Sequence, residues 1–331
     1  MIGILYESGE WSDYHLAAEV AARGVDVRLV NMEHGEAERE ALACDMLASR
    51  VFASAQFRGH AASLARYPQV AARAEASGIV LVNPARAHAF EVSKRATAEA
   101  LTAAGLFAPT VFACSTAGEL TEMLGGGPAT GGHAAAAPDG AAPKTAAHGG
   151  GGSADAAGGD ALPFPFPCIV KPDCGGRTTY TALAHSAREA CDFLQGVPPD
   201  LLMVAQSYAA PAHGFLTRVE VVGGRCALVV KRSVAENGLS GYHQGSTYTM
   251  YADCPRKVRD AVEQAAALLG IELGSFDVVE TAEGPCIIDA NSVSNVSPDC
   301  TELFGMDLMA KHADYLVERH RDVMRRHGVA E

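Results

Sequence analysis

The chain has 331 residues, 48% of them hydrophobic, and a formal net charge of -13. That length and apolar content fill more than one packed layer and exclude disorder throughout, while the acidic balance argues against nucleic acid, whose phosphates attract Lys and Arg. Nine cysteines without a C-x-x-C spacing, on a chain showing no signal peptide and no apolar run near the roughly 18 to 20 residues that span a bilayer, imply reduced thiols, a cytoplasmic location and no membrane segment.

The start reads as a βαβ unit: an apolar strand Ile2 to Tyr6, a polar loop Glu7 to Asp13, a helix Tyr14 to Arg23 and a strand Val25 to Met32. A third strand is expected at Cys44 to Phe52, a helix from Pro68 to Ala76 with proline in its first turn, and a fourth strand at Ile79 to Val82, closed by Asn83-Pro84. Short apolar runs alternating with helices predict a parallel sheet, so residues 1–84 are expected to form an N-terminal α/β domain.

A helical stretch from Ala85 to Ala104 follows, stopping at Gly105, and Pro109 introduces a strand through Val111. Residues 125–160 hold twelve glycines in thirty-six positions with no apolar periodicity, the composition of a disordered insertion. Beyond it the pattern is α+β: strand Cys168 to Lys171, a turn at Asp173 to Gly176, strand Thr178 to Leu183, helix Ser186 to Leu194 and strand Leu202 to Gln206. The hairpin Thr217 to Val222 and Cys226 to Arg232 turns at Gly223-Gly224, and helix Pro255 to Leu269 comes next. A second hairpin joins Ser275 to Glu280 with Cys286 to Asp289, and a helix runs from about Met306 to Arg326.

Three local patterns can carry chemistry. In Ile169-Val-Lys-Pro-Asp-Cys-Gly-Gly176, a strand delivers Lys171 beside a turn in which Gly175 and Gly176 allow backbone N–H groups close to phosphate oxygens; an ordinary hairpin with an exposed lysine fits the same residues. The Walker spacing is absent. Lys94 opens a helix and lies forty-one positions from Lys171 once the insertion is subtracted, so the two can face one phosphate chain or be separately solvated. Third, Asp289 and Asn291 share a strand face while the paired strand brings Asp277 near, an oxygen set suited to Mg²⁺, against which stands the reading of surface acids.

With these pieces in order, together with Asn83-Pro84, Val204-Ala-Gln-Ser-Tyr208, Arg218-Val-Glu-Val-Val222 and Lys231-Arg232, the chain resembles the ATP-grasp superfamily. Within it the likeness is to ligases that add glutamate to a ribosomal protein and to the carrier-protein ligases of lysine biosynthesis. The resemblance implies an ATP-grasp small subdomain over 85–205, carrying the insertion, and a C-terminal subdomain with the metal site over 206–331. It also implies ATP held by Lys94, Lys171, Gly175, Gly176 and the hinge Gln206, Ser207, Tyr208, and Mg²⁺, or Mn²⁺ in its place, on Asp277, Asp289 and Asn291. Arg218 and Arg232 then lie near the transferred phosphoryl group as catalytic cations, with structural salt bridges as the other reading.

Three departures stand out: Ser207 replaces the usual hinge glutamate, Phe215-Leu216 stand where an acidic residue is expected before the Arg218 strand, and Asp289 takes the place of the usual glutamate of the last metal pair, with a shorter reach and the same charge. For the second substrate the candidates are Arg50, Lys231, Ser294 and Asn295, while His213 and His243 in loops are candidate bases or solvent-facing residues. The activity so implied is ADP-forming joining of a carboxylate to an amine through an acyl-phosphate, with small-molecule substrates of amino-acid or peptide type and a homodimeric assembly. The alternatives are an ATP-binding regulatory or scaffold protein without turnover, and a phosphotransferase.

Overall fold

The computed structural model describes residues 1–7, 9–125, 164–235, 237–241, 245–294 and 299–328. The expected insertion lies outside the described residues from 126 onward, as do His243 and Asn295. Among the described residues no helix is long and apolar enough to cross a membrane.

The first layer is a parallel sheet in the order β2-β1-β3-β4, formed by β1 (Ile2–Tyr6), β2 (Val27–Asn31), β3 (Met46–Arg50) and β4 (Val80–Val82). Ile2, Ile4 and Leu5 of the central β1 are fully buried, as both faces of a covered parallel strand require. Helix α1 (Trp11–Ala22) begins earlier than its apolar pattern suggests. Its polar first turn is held from inside the domain: Arg50 donates from Nε to Asp13 (2.7 Å) and from a terminal nitrogen to Ser12 (2.6 Å). A short helix α2 (Ala37–Ala41) precedes β3, and α3 (Ala61–Ala76) places Pro68 inside the helix rather than in its first turn. Burial of Tyr67, Val70, Ala71 and Ala74 against the sheet offsets the hydrogen bond that proline removes.

Asn83, at the end of β4, fastens this layer to the rest of the molecule. Its amide donates to the carbonyls of Leu273 (2.6 Å) and Ser292 (2.5 Å), and its oxygen accepts from the N–H groups of Glu272 (2.6 Å) and Leu273 (2.9 Å). A buried side-chain amide is thereby fully satisfied. Helices α4 (Ala85–Glu91) and α5 (Lys94–Ala103) follow, the latter capped by Ser93, whose hydroxyl accepts from the Ala96 N–H. Ala87, Ala98 and Leu101 from this pair pack in one core with Val219, Val258 and Phe276 of the C-terminal half.

A small antiparallel sheet, β5-β8-β6-β7, consists of β5 (Val111–Thr116), β6 (Cys168–Pro172), β7 (Ala182–Ala184) and β8 (Leu202–Ser207). Helices α6 (Ala117–Met123) and α7 (Ala187–Leu194) cover it. The strand expected over Thr178 to Leu183 is shortened to β7, because Arg177, Thr178 and Tyr180 adopt positive φ and the chain turns there.

The third sheet runs β11-β10-β9-β12-β13, antiparallel throughout. Its strands are β9 (Phe215–Val222), β10 (Arg225–Ser233), β11 (Tyr248–Met250), β12 (Leu273–Thr281) and β13 (Gly284–Asn291). Gly223 and Gly224 both have positive φ (61° and 70°), the requirement of the tight hairpin turn expected there. Helix α8 (Arg256–Leu269) covers one face. After β13 come α9 (Asp299–Phe304) and α10 (Leu308–Arg326), and α10 packs back onto α1 and β1 of the first layer.

Candidate active site

The uncovered face of the third sheet, the small sheet and the start of the first layer enclose a cavity of about 650 Å³. Strand register builds its floor. Val230, Arg218, Asp277 and Asp289 lie in one row across β10, β9, β12 and β13, and Leu228, Glu220, Ser275 and Asn291 form the adjacent row. Because side chains alternate along a strand, all eight share the face opposite the buried Phe276 and Val219.

The floor is a charge lattice. Arg218 donates to Glu220 (2.7 Å) and Ser275 (2.8 Å) and contacts Asp277 (3.4 Å), while Arg232 reaches the other oxygen of Asp277 (2.9 Å) and donates from Nε to Ser240 (2.9 Å). The Ser294 hydroxyl donates to Glu220 as well. Burial works against the Arg218 charge, but Glu220 and Asp277 outweigh it and hold its pKa above the ordinary guanidinium value.

The opposite wall carries the lysines. Asp173, after β6, accepts the Arg95 N–H on its carboxylate (2.9 Å) and the Lys94 N–H on its carbonyl (3.1 Å), which sets the start of α5 against the glycine turn. From there Lys94 Nζ lies 3.4 Å from Asp289 and donates to the Gly175 carbonyl (3.0 Å). Lys171 Nζ donates to the Ile288 carbonyl (3.3 Å). The two amines respond oppositely. Burial opposes the charge on Lys94, yet Asp289 overcomes it and raises its pKa, whereas burial dominates at Lys171 and lowers it to about 8. Asp289 is itself pulled below the ordinary carboxylate value, since Lys94 and Lys171 outweigh its burial.

The glycine turn is seated on the first layer. A Cβ on Gly175 would lie 2.6 Å from the Phe57 ring, and Gly176 lies beside Ser54, so glycine permits the close approach. At the far end of β8, Gln206, Ser207 and Tyr208 line the same cavity. Ser207 is tied to Thr110 twice, through its N–H (2.9 Å) and its hydroxyl (3.0 Å).

The cavity thus gathers Lys94, Lys171, the glycine pair, the β8 hinge, both arginines and the Asp277–Asp289–Asn291 set. Two carboxylates and an amide carbonyl in adjacent register positions are hard oxygen donors, a set that suits Mg²⁺. Three substrate candidates, Arg50, Lys231 and Ser294, do not line the cavity. Arg50 is buried, spending its guanidinium on Asp13, Ser12 and the Ser294 carbonyl (3.0 Å). Lys231 is on the other face of β10, over the rings of Phe215 (4.9 Å) and Tyr251 (4.3 Å), because it alternates with Arg232. Ser294 is buried, with its hydroxyl on Glu220 and Arg218 and not in the cavity lining, and His213 is exposed beside Phe215.

Several participants escaped the sequence reading. Glu220 follows Arg218 by two strand positions, and that period alone puts both on one face. Glu91 is buried and accepts from the N–H groups of Ala53 (3.0 Å) and Ser292 (2.8 Å), joining the first layer to the end of β13; nothing in its neighbourhood in sequence signals this. Arg177 and Glu10, which pair across the cavity's outer end, meet only through the tertiary fold.

No protein-family model matches the chain. A RimK domain ATP-grasp protein from Sphaerobacter thermophilus superposes with a TM-score of 0.61 at 16% identity, over 95% of this chain and 98% of that one. D-alanine–D-alanine ligase from Bacillus anthracis superposes at 0.65 with 13% identity, over 98% and 99%. This chain has the ATP-grasp fold.

Within the ATP-grasp fold, the small sheet and the third sheet are the two jaws around the cavity. In sequence, a probable alpha-L-glutamate ligase of Marinomonas sp. is 31% identical over 130 residues, 38% of this chain and 42% of that protein. A ribosomal protein bS6–L-glutamate ligase of Salmonella newport is 27% identical over 158 residues, 46% of this chain and 51% of its own length. The chain therefore spans about half the length of the curated relatives it matches.

Proposed function

We propose that the protein is an ADP-forming ligase that uses ATP and Mg²⁺ to activate a carboxylate as an acyl-phosphate and then joins it to an amine. One observation carries this reading: Lys94, Lys171 and two arginines converge with an Asp–Asp–Asn oxygen set in a single cavity. Lys94, Lys171 and the turn at Gly175 and Gly176 would hold the ATP phosphates, and the segment Gln206 to Tyr208 the adenine. Asp277, Asp289 and Asn291 would hold Mg²⁺, with Mn²⁺ as a substitute. When bound there, the ion offsets charge on the phosphates and on the oxygen being phosphorylated.

Arg218 and Arg232, braced by Glu220, Ser275, Asp277 and Ser240, keep their guanidinium groups in place as charge grows on the transferred oxygens. Phosphoryl transfer asks mainly for positioning and electrostatics, and exclusion of water limits hydrolysis of the acyl-phosphate. The glutamate ligases among the partial relatives support an amino-acid or peptide substrate. All nine cysteines are free thiols, which supports a reducing, cytoplasmic setting, and a homodimer is our working assembly.

The test is Mg²⁺-dependent ADP release across a panel of amino and dicarboxylic acids, with hydroxylamine as surrogate amine. Carboxylate-dependent ADP and hydroxamate are expected together. ATP binding without turnover on the whole panel would point instead to a regulatory protein, and ADP release that does not depend on an amine to a phosphotransferase.

A further inference from the structure

Beyond the lysines and the Asp277–Asp289–Asn291 set, the cavity has an outer end of different chemistry. Trp11, the single tryptophan of the chain, opens α1 there and is 42% exposed. Leu303 and Phe304 of α9 line the same space, and Leu303 is 58% exposed. Large apolar side chains left open on a cavity wall mark surface that a ligand covers.

The charges at this end are already balanced. Arg58 pairs with Glu7 and with Glu10 (2.9 Å), and Arg177 pairs with Glu10. Two guanidinium groups thus face two carboxylates. Among the described residues this rim keeps no uncommitted cation for an acidic side chain, while at the inner end Lys94, Arg218 and Arg232 are engaged with Asp289, Glu220 and Asp277, and Lys171 donates to the Ile288 carbonyl.

Resting on the ligase reading, we infer that the outer end selects a substrate with a bulky apolar side chain, of the leucine or phenylalanine class, seated between Trp11 and the Leu303–Phe304 face. An acidic side chain placed there would lose its hydration and meet carboxylates whose partners are already taken.

Because Trp11 is the only tryptophan, its fluorescence reports on this end without requiring turnover. The full chain, with Mg²⁺ and a non-hydrolysable ATP analogue, is titrated with leucine, phenylalanine, glutamate and aspartate. Leucine and phenylalanine are expected to change the emission saturably, with glutamate and aspartate needing at least about tenfold higher concentration. Leu303→Asp, at an exposed position, should raise the apparent Kd for leucine about tenfold while binding of the ATP analogue stays unchanged. Equal or tighter response to glutamate, no response to any of the four, or an unaltered leucine Kd in Leu303→Asp would overturn the inference. Failure of the ligase reading shows separately, as absence of ADP release with every acid and amine, whatever the emission does.

Discussion

The two walls of the cavity hold their charges by different means. On the β-sheet floor Glu220 and Asp277 are answered by guanidinium groups fixed through several hydrogen bonds, so Arg218, Glu220, Asp277 and Arg232 form a lattice set by strand register, while Asp289 at its edge meets Lys94. On the opposite wall the cations are single lysines, and their surroundings decide their charge: Lys94 keeps its proton beside Asp289, whereas burial lowers the pKa of Lys171 to about 8. A register-built lattice gives fixed electrostatics, suited to a transition state. A desolvated amine such as Lys171 gives a site whose positive charge is strengthened when phosphate arrives.

That contrast predicts that the floor governs turnover and the lysine wall governs nucleotide binding. The largest effect should come from Asp289→Ala, expected to lower kcat by about 10³-fold with a smaller change in ATP affinity, measured by steady-state kinetics beside equilibrium binding. Equal losses in both would erase the division. Next, ATP affinity should fall as pH rises through about 8, because Lys171 is cationic below that value and neutral above it, by at most about tenfold per pH unit. Lys171→Arg, which stays charged, should flatten the profile in a binding titration from neutral to alkaline pH.

A smaller effect is expected from Gly175→Ala, whose Cβ meets the Phe57 ring: about 1–3 kcal/mol of stability and a raised KM for ATP, both eased by Phe57→Leu. Thermal unfolding and kinetics of the single and double variants measure the coupling. The smallest belongs to Lys231→Met. With its ammonium over Phe215 and Tyr251 and away from the cavity, it should cost about 0.5–1 kcal/mol in stability and leave kcat unchanged.

Much of this was legible in the sequence because it is local. Apolar runs and alternation marked β1, the β9–β10 hairpin at Gly223-Gly224 and the β12–β13 pair, and a period of two placed Asp289 and Asn291 on one face. Lys171 ahead of the Asp173 to Gly176 turn marked the lysine wall for the same reason, since strand and turn adjoin in the chain. What the pattern of residues could not settle is where a long polar side chain finds its partner. Arg50 looked free to meet a substrate until Asp13 and Ser12, thirty-seven and thirty-eight residues away, claimed it and turned a polar stretch into the first turn of α1. Glu91, Glu10 and Arg177 are likewise defined by contacts across the sheets. Periodicity records which face a residue occupies; only closure of the chain decides which charge stands opposite it, because a buried ion needs its partner through space and not along the sequence.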